Sequence, residues 1–229
     1  MSYPDLKNLF QNLETSKTIS IMTVDSLIDS HSLFLTAYFI NFHASRKEQD
    51  GVKIFFKSFR FRKFEIEAVL NKAGINGLPS LMKSGVLEVF DIGEELPDLP
   101  ESSPEDASQE DVKNETNVLI LDGLTAILEQ APSEKIGLQK TLNLILKSEK
   151  LYQNVIFKLE VDKSIELENK IAKFLHKRSD IFIETEPTSF VSSSVHGKLV
   201  VDYPNDEMIY KRLYHVKDRS LKVMPLGSS

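Results

Sequence analysis

The run Val118-Leu119-Ile120-Leu121-Asp122 limits this chain more than any other feature. Four apolar residues with no polar alternate describe a strand covered on both faces, which suits the interior of a largely parallel sheet. The aspartate then puts a carboxylate at the strand end. In sites for magnesium–nucleoside triphosphate, such a carboxylate faces the metal. Its partner is a Gly-rich turn, G-x-x-x-x-G-K-S/T, after an earlier strand, whose N–H groups and lysine hold the phosphates. The candidate earlier strand is Thr18–Val24, and the turn after it reads Asp25-Ser26-Leu27-Ile28-Asp29-Ser30-His31. That turn has no glycine and no lysine, and it brings two carboxylates to the place of phosphate charge. The Walker A signature is absent. The expected role moves from catalysis to assembly.

Size and charge bound the rest. A chain of 229 residues fits one large α/β domain with a sizeable core, or two small domains. A net charge of −6 argues against a wholly basic nucleic-acid binder but leaves room for a local basic patch. The absence of cysteine removes disulfides and thiolate metal sites. The opening Met1-Ser2-Tyr3-Pro4-Asp5-Leu6-Lys7 lacks a signal-peptide pattern, and the apolar run 33–42 is too short to span a bilayer. The expected location is the cytoplasm, with the nucleus as a second compartment, and no membrane partner is expected.

Strands and helices alternate along the chain. Helical spacing of Leu6, Leu9, Phe10 and Leu13 opens it, strand 19–24 follows, and then a helix over about 32–44. Strand 52–56, a helix over about 61–72 ending at Gly74, and strand 86–90 complete the first half. Residues 92–116 form an acidic, Pro-interrupted insertion, expected to be disordered because it has little apolar surface to bury. It reads either as a solvated linker or as a docking tail for a basic surface. The second half resumes at Val118, with helices over 124–130, 136–148 and 165–177 around strand 155–159. Strands from Ile181, at 197–203 and 208–216, and at 220–224 then make antiparallel hairpins. The whole, 1–229, reads as one domain of RecA-like, P-loop-NTPase type: a mostly parallel sheet flanked by helices, with an antiparallel C-terminal edge.

Several residues invite chemistry. Asp122 reads either as a metal-facing carboxylate or as a turn aspartate satisfied by the N–H groups after Gly123. The five histidines His31, His43, His176, His196 and His215 show no H-E-x-x-H and no close pairing, so no metal site is expected. No G-x-S-x-G occurs, and Gly74-Ile75-Asn76-Gly77 reads as a helix cap and turn rather than an RNA-binding loop. Arg60, Arg62 and Lys63 lie in a stretch that interleaves cations with Phe55, Phe56, Phe59, Phe61 and Phe64. Such a stretch either buries its rings and solvates its cations or offers both to RNA, where stacking adds roughly 1–3 kcal/mol per base. A second basic cluster, Lys211, Arg212, Lys217, Arg219 and Lys222, falls on edge strands.

The C-terminal third carries a more specific pattern. Ser179-Asp180-Ile181-Phe182-Ile183 is followed by Ser194-Val195-His196-Gly197-Lys198-Leu199. Then come Tyr214-His215-Val216-Lys217-Asp218-Arg219-Ser220-Leu221-Lys222 and Gly227. With Leu33-Phe34-Leu35 and the Val118 strand in matching places, this resembles the sixth subunit of the Elongator complex; the fifth subunit is its nearest confusable relative. The resemblance implies a RecA-like fold without intact nucleotide motifs. It also implies assembly with the fourth and fifth subunits in a six-membered ring. Such a ring binds transfer RNA and supports wobble-uridine modification by the catalytic Elongator core. By order of elements, the pore loops of such a ring correspond to 130–137 and 160–165, which makes Lys135 and Lys163 candidate RNA contacts beside Arg60, Arg62 and Lys63. No catalytic, cofactor or metal residue is implied. Two other classes stay open: a divergent RecA-like enzyme using Asp122, and a protein-interaction module with no RNA role.

Overall fold

All seven residues of β1 (Thr18–Val24) are buried, and the five apolar-to-acid residues of β4 (Asn117–Asp122) beyond Asn117 are buried too. Strands of this kind need cover on both faces, and the chain supplies it. In this computed structural model, the described residues are 6, 9–10, 13–24, 29–46, 51–92, 94–96, 117–192, 195–217 and 220–225. Between β1 and β4 lie α1 (Asp29–Ser45), β2 (Lys53–Ser58), α2 (Lys63–Lys72), α3 (Leu78–Lys83) and β3 (Leu87–Phe90). After β4 come α4 (Ala126–Glu129), α5 (Glu134–Leu151), β5 (Asn154–Val161) and α6 (Glu166–His176). The chain closes through β6 (Ile181–Ser192), β7 (Val195–Tyr203), β8 (Met208–Lys217) and β9 (Ser220–Pro225).

Among the described residues these strands form one nine-stranded sheet in the order β3-β2-β4-β5-β1-β6-β7-β8-β9. Every pair from β3 to β6 is parallel, and β6 to β9 are antiparallel. The expected parallel core with an antiparallel edge is therefore present. The period-2 alternation of strand side chains splits the core into two layers. Ile21, Ile54, Phe56, Ile120 and Ile156 join the first layer, beside Leu35, Phe39 and Leu70 of α1 and α2. Phe55, Leu119, Leu121, Phe157 and Leu159 join the second, beside Ile145 of α5 and Ile171 and Leu175 of α6.

Two details correct or extend the reading of the sequence. Leu78–Lys83 is a further short helix that periodicity missed, six residues long with a proline in its first turn. At the start of the acidic stretch, Lys57 donates to the main-chain carbonyls of Asp91 (3.1 Å), Ile92 (3.5 Å) and Glu94. Leu96 packs on the second core layer. Ile92 and residues 94–96 are thus held to the domain, and the rest of the proposed insertion, 93 and 97–116, lies outside the described residues. Burial pulls the Lys57 amine below its usual range, against the opposing pull of Glu94, Asp91 and Glu95. Among the described residues, no helix is long and apolar enough to cross a membrane.

One glycine is explained by a close approach. Gly197 pairs with Tyr214 across β7 and β8, and the tyrosine side chain approaches it closely. A Cβ at Gly197 would fall 2.5 Å from two ring carbons and the hydroxyl oxygen of Tyr214. This fit buries Tyr214, and burial pushes its phenol up to about 12. The Val-His-Gly step thus serves packing.

Candidate functional site

The parallel register brings three side chains together at the carboxyl ends of neighbouring strands. Ser58 ends β2 directly beside Asp122 at the end of β4, and Leu121 pairs with Phe157, which sets Lys158 of β5 on the other side. All three project into the first-layer face, two residues beyond Phe56, Ile120 and Ile156 respectively. The Ser58 hydroxyl donates to Asp122 Oδ2 at 2.7 Å. Its oxygen accepts in turn from the N–H groups of Arg60 and Phe61, both at 3.1 Å. The Lys158 ammonium stands 2.7 Å from Asp122 Oδ1, and the two side chains are only 1% and 2% exposed. Among the described residues Oδ1 meets no hydrogen-bond donor in good alignment, so the ammonium charge is its compensation.

The turn after β4 differs from the sequence expectation. The N–H groups of Gly123 and Leu124 do not cap Asp122; both donate to the Lys158 carbonyl, at 3.1 and 3.2 Å. The reason is the parallel ladder itself, which continues one step past the strand and leaves the aspartate side chain to Ser58 and Lys158. Gly123 has φ 76°, and a Cβ there would meet Arg60 Cγ at 2.7 Å and Cδ at 2.9 Å. Glycine at this position lets the Arg60 stem lie across the turn. From there its guanidinium pairs with Glu160, two residues beyond Lys158 on the same strand face. The Arg60–Glu160 pair forms a second layer over the Ser58–Asp122–Lys158 cluster.

A magnesium ion needs carboxylate oxygens at about 2.0–2.1 Å and usually keeps several waters. Both oxygens of Asp122 are already engaged, one by a hydroxyl and one by an ammonium, in a setting without room for a hydrated ion. The residues present do not fit a metal. Among the described residues, no group of three or more His, Asp or Glu side chains is placed to hold one. Of the turn that should face it, 25–28 lies outside the described residues, and α1 begins at Asp29.

The candidate RNA contacts fall in different surroundings. Lys135 sits exposed in the first turn of α5, after Ser133 caps the helix by accepting from Ile136 N–H at 3.4 Å. Lys163 follows β5 but turns to β6, where it pairs with Glu186 and stands 3.1 Å from Glu184. Lys198 adds a contact to Glu186 at 3.3 Å. The Lys163 bond pulls Glu186 down to about 2 and raises Lys163 in return, while burial raises Glu184. Arg60 is committed to Glu160 and stacks 5.3 Å from the Phe61 ring centroid. Arg62 and Lys63 are exposed at the start of α2, with no ion-pair partner among the described residues. Of the five cations, the structure thus gathers Arg62 and Lys63 on one turn and ties two others to carboxylates.

Sequence reasoning missed Ser58, Lys158 and Glu160. A signal for one of them was present: Lys158 interrupts the otherwise apolar run 155–159 of a strand expected to be covered on both faces. A lysine there needs a buried anion, and the apolar strand that ends in Asp122 offers one.

No protein-family model matches the chain, and no curated protein matches it. Among solved structures, it is similar to a KaiC-like protein from the hyperthermophilic archaeon Pyrococcus horikoshii OT3. The TM-score is 0.62 over 91% of this chain and 90% of that one, at 14% sequence identity. The fold is RecA-like. At that identity the likeness carries the fold alone, and the Asp122 cluster must be read from its own geometry.

Proposed function

We propose that this chain is a non-catalytic subunit of the Elongator accessory ring. In this reading it meets the fourth and fifth subunits head to tail in a six-membered ring, supports transfer-RNA binding by that ring, and serves wobble-uridine modification by the catalytic core. The observation that carries the non-catalytic part is the Lys158 ammonium 2.7 Å from Asp122, where a nucleotide site would need a metal. The ring and RNA parts rest on the resemblance of 179–222 and on the RecA-like fold, in which head-to-tail contacts give a ring where the rotation between neighbours closes. Of the pore-loop lysines, Lys135 is the better RNA contact, because Lys163 already faces two glutamates.

Two measurements test this. Calorimetry with magnesium-ATP on the isolated chain is expected to show no binding; micromolar affinity would overturn the non-catalytic reading. Affinity purification from the native source is expected to bring down the fourth and fifth subunits. Co-expression with them should give a particle of about six chains that binds transfer RNA, with affinity falling as salt rises. A stable monomer that ignores both partners on a sizing column would overturn the ring.

A further inference from the structure

The carboxyl end of the sheet is plugged at its centre by paired charges, and its rim carries an exposed aromatic ring. Five phenylalanines fall between residues 55 and 64, and the structure treats them differently. Phe55 and Phe56 are buried in opposite core layers, and Phe59 and Phe61 are half-buried. Phe64 is 65% exposed, more than any other exposed large apolar side chain described. It is two residues before Ile66, the first buried position of α2, and therefore about 200° around the helix from it. The periodicity that seats Ile66 and Leu70 on the sheet turns Phe64 away from it.

The charges beside this ring are unspent. Arg62 and Lys63 are exposed with no ion-pair partner among the described residues, whereas Arg60 is held by Glu160. The nearest acid in sequence, Glu65, accepts from the Arg62 main-chain N–H at 2.7 Å, so its carboxylate is engaged in capping the helix. An exposed ring with two available cations in the same turn matches the two recognisable parts of a nucleotide chain, a π-face and a phosphodiester charge. Among the described residues of α2, Phe64 is the only large apolar side chain that is exposed, and its sequence neighbours Arg62, Lys63 and Glu65 are charged, so the ring stands alone in a charged setting rather than within an apolar patch.

We propose that Phe64, Arg62 and Lys63 form a stacking site for single-stranded RNA, with one base on the Phe64 ring and adjacent phosphates on the two cations. The proposal rests on the RNA-supporting role given above and deepens it by placing a contact outside the pore loops. It is tested with the full chain in the assembled ring. The chain has no tryptophan, so Phe64→Trp creates a single reporter in this subunit. Short oligouridylate is expected to quench that reporter saturably, and inorganic polyphosphate, which has charge without bases, is expected not to. Phe64→Ala should weaken oligouridylate binding about fivefold or more, the lower bound for loss of one stacked base. Replacing Arg62 and Lys63 by Gln should reduce the slope of log affinity against log salt by about 1.4, two phosphate contacts on a single strand. A ring that binds RNA while Phe64→Ala leaves affinity unchanged and Phe64→Trp stays unquenched overturns this site alone. Loss of ring assembly in Phe64→Ala, with RNA affinity of the residual ring intact, overturns it in favour of a protein anchor. A wild-type ring that binds no RNA overturns the site together with the reading on which it rests.

Discussion

Removing the Lys158 ammonium tests whether the strand-end cluster is a structural ion pair. At 2.7 Å the attraction between the two charges is about 6 kcal/mol for an effective dielectric constant near 20. Against it stands a desolvation penalty of several kcal/mol for each ion, so the pair as a whole contributes little net stability. Breaking it is another matter. Lys158→Met leaves Asp122 buried with only the Ser58 hydroxyl at 2.7 Å, and Asp122→Leu leaves the ammonium uncompensated. Each single change is expected to cost about 3–5 kcal/mol. For a domain of this size that lowers the melting temperature by roughly 6–20 °C. The double variant, with two apolar side chains in the same space, should return to within about 1–2 kcal/mol of the wild type. The difference, a coupling energy of at least about 4 kcal/mol, comes from urea unfolding of the four proteins, with closely similar m values showing that the same surface is exposed in each. Single variants that each lose less than about 1 kcal/mol would refute the reasoning, because no buried charge would then have been stranded. So would a double variant as unstable as the sum of the singles.

Other expectations follow from the same kind of accounting. His43 is 2% exposed, both ring nitrogens lack a hydrogen-bond partner among the described residues, and burial, with Arg46 second, pushes it down to about 4. Its folded pKa lies below the unfolded value, so the stability tied to neutral His43 is complete above about pH 6.5 and is lost as the pH falls toward 4. The loss is about 3 kcal/mol. His43→Leu should flatten that part of the stability–pH curve relative to wild type, as read by urea unfolding at several pH values; an unchanged slope would contradict the assignment. Gly197→Ala must push the Tyr214 ring aside and is expected to cost about 1–3 kcal/mol in the same assay. Gly123→Ala combines a left-handed backbone with a clash on the Arg60 stem, for a loss of roughly 1–3 kcal/mol. A neutral result at either glycine would show that the neighbouring side chain yields freely.

Much of the fold was legible because its strands announce themselves. Runs such as 118–121 and 155–157 admit few alternatives to covered parallel strands, and the turn residues Pro204-Asn205-Asp206 between two strand runs mark the antiparallel edge. Leu78–Lys83 was not legible, since six residues between turns carry no helical period. The site was half legible. Asp122 is visible as a strand-end acid, but its partners come from strands whose register the sequence does not display. Ser58 is 64 residues away along the chain, and it becomes a neighbour only through the pairing of β2 with β4. The aromatic–cationic stretch shows the same limit. Its rings divide: those of Phe55 and Phe56 go to the core and that of Phe64 to solvent, a division set by where β2 ends and α2 begins.

The cluster also explains why a chain without a phosphate loop can keep an acid in this position. A carboxylate at the end of a covered strand is costly unless a cation meets it, and a nucleotide site meets it with a metal. Here the cation is covalently part of the neighbouring strand. It is therefore present at every concentration of ATP and metal. Arg60, lying over Gly123 and paired to Glu160, closes the same end a second time. On the proposed reading, such a face would not report nucleotide occupancy by gaining or losing a bound ion. In a ring with nucleotide-responsive neighbours, this subunit would present a constant surface, and changes in RNA affinity with ATP would have to originate in the other subunits. Nucleotide-dependent RNA binding by the assembled ring should accordingly survive the Asp122→Leu/Lys158→Met double variant unchanged. Its loss in a double variant that still folds and assembles would show that the cluster takes part in the response.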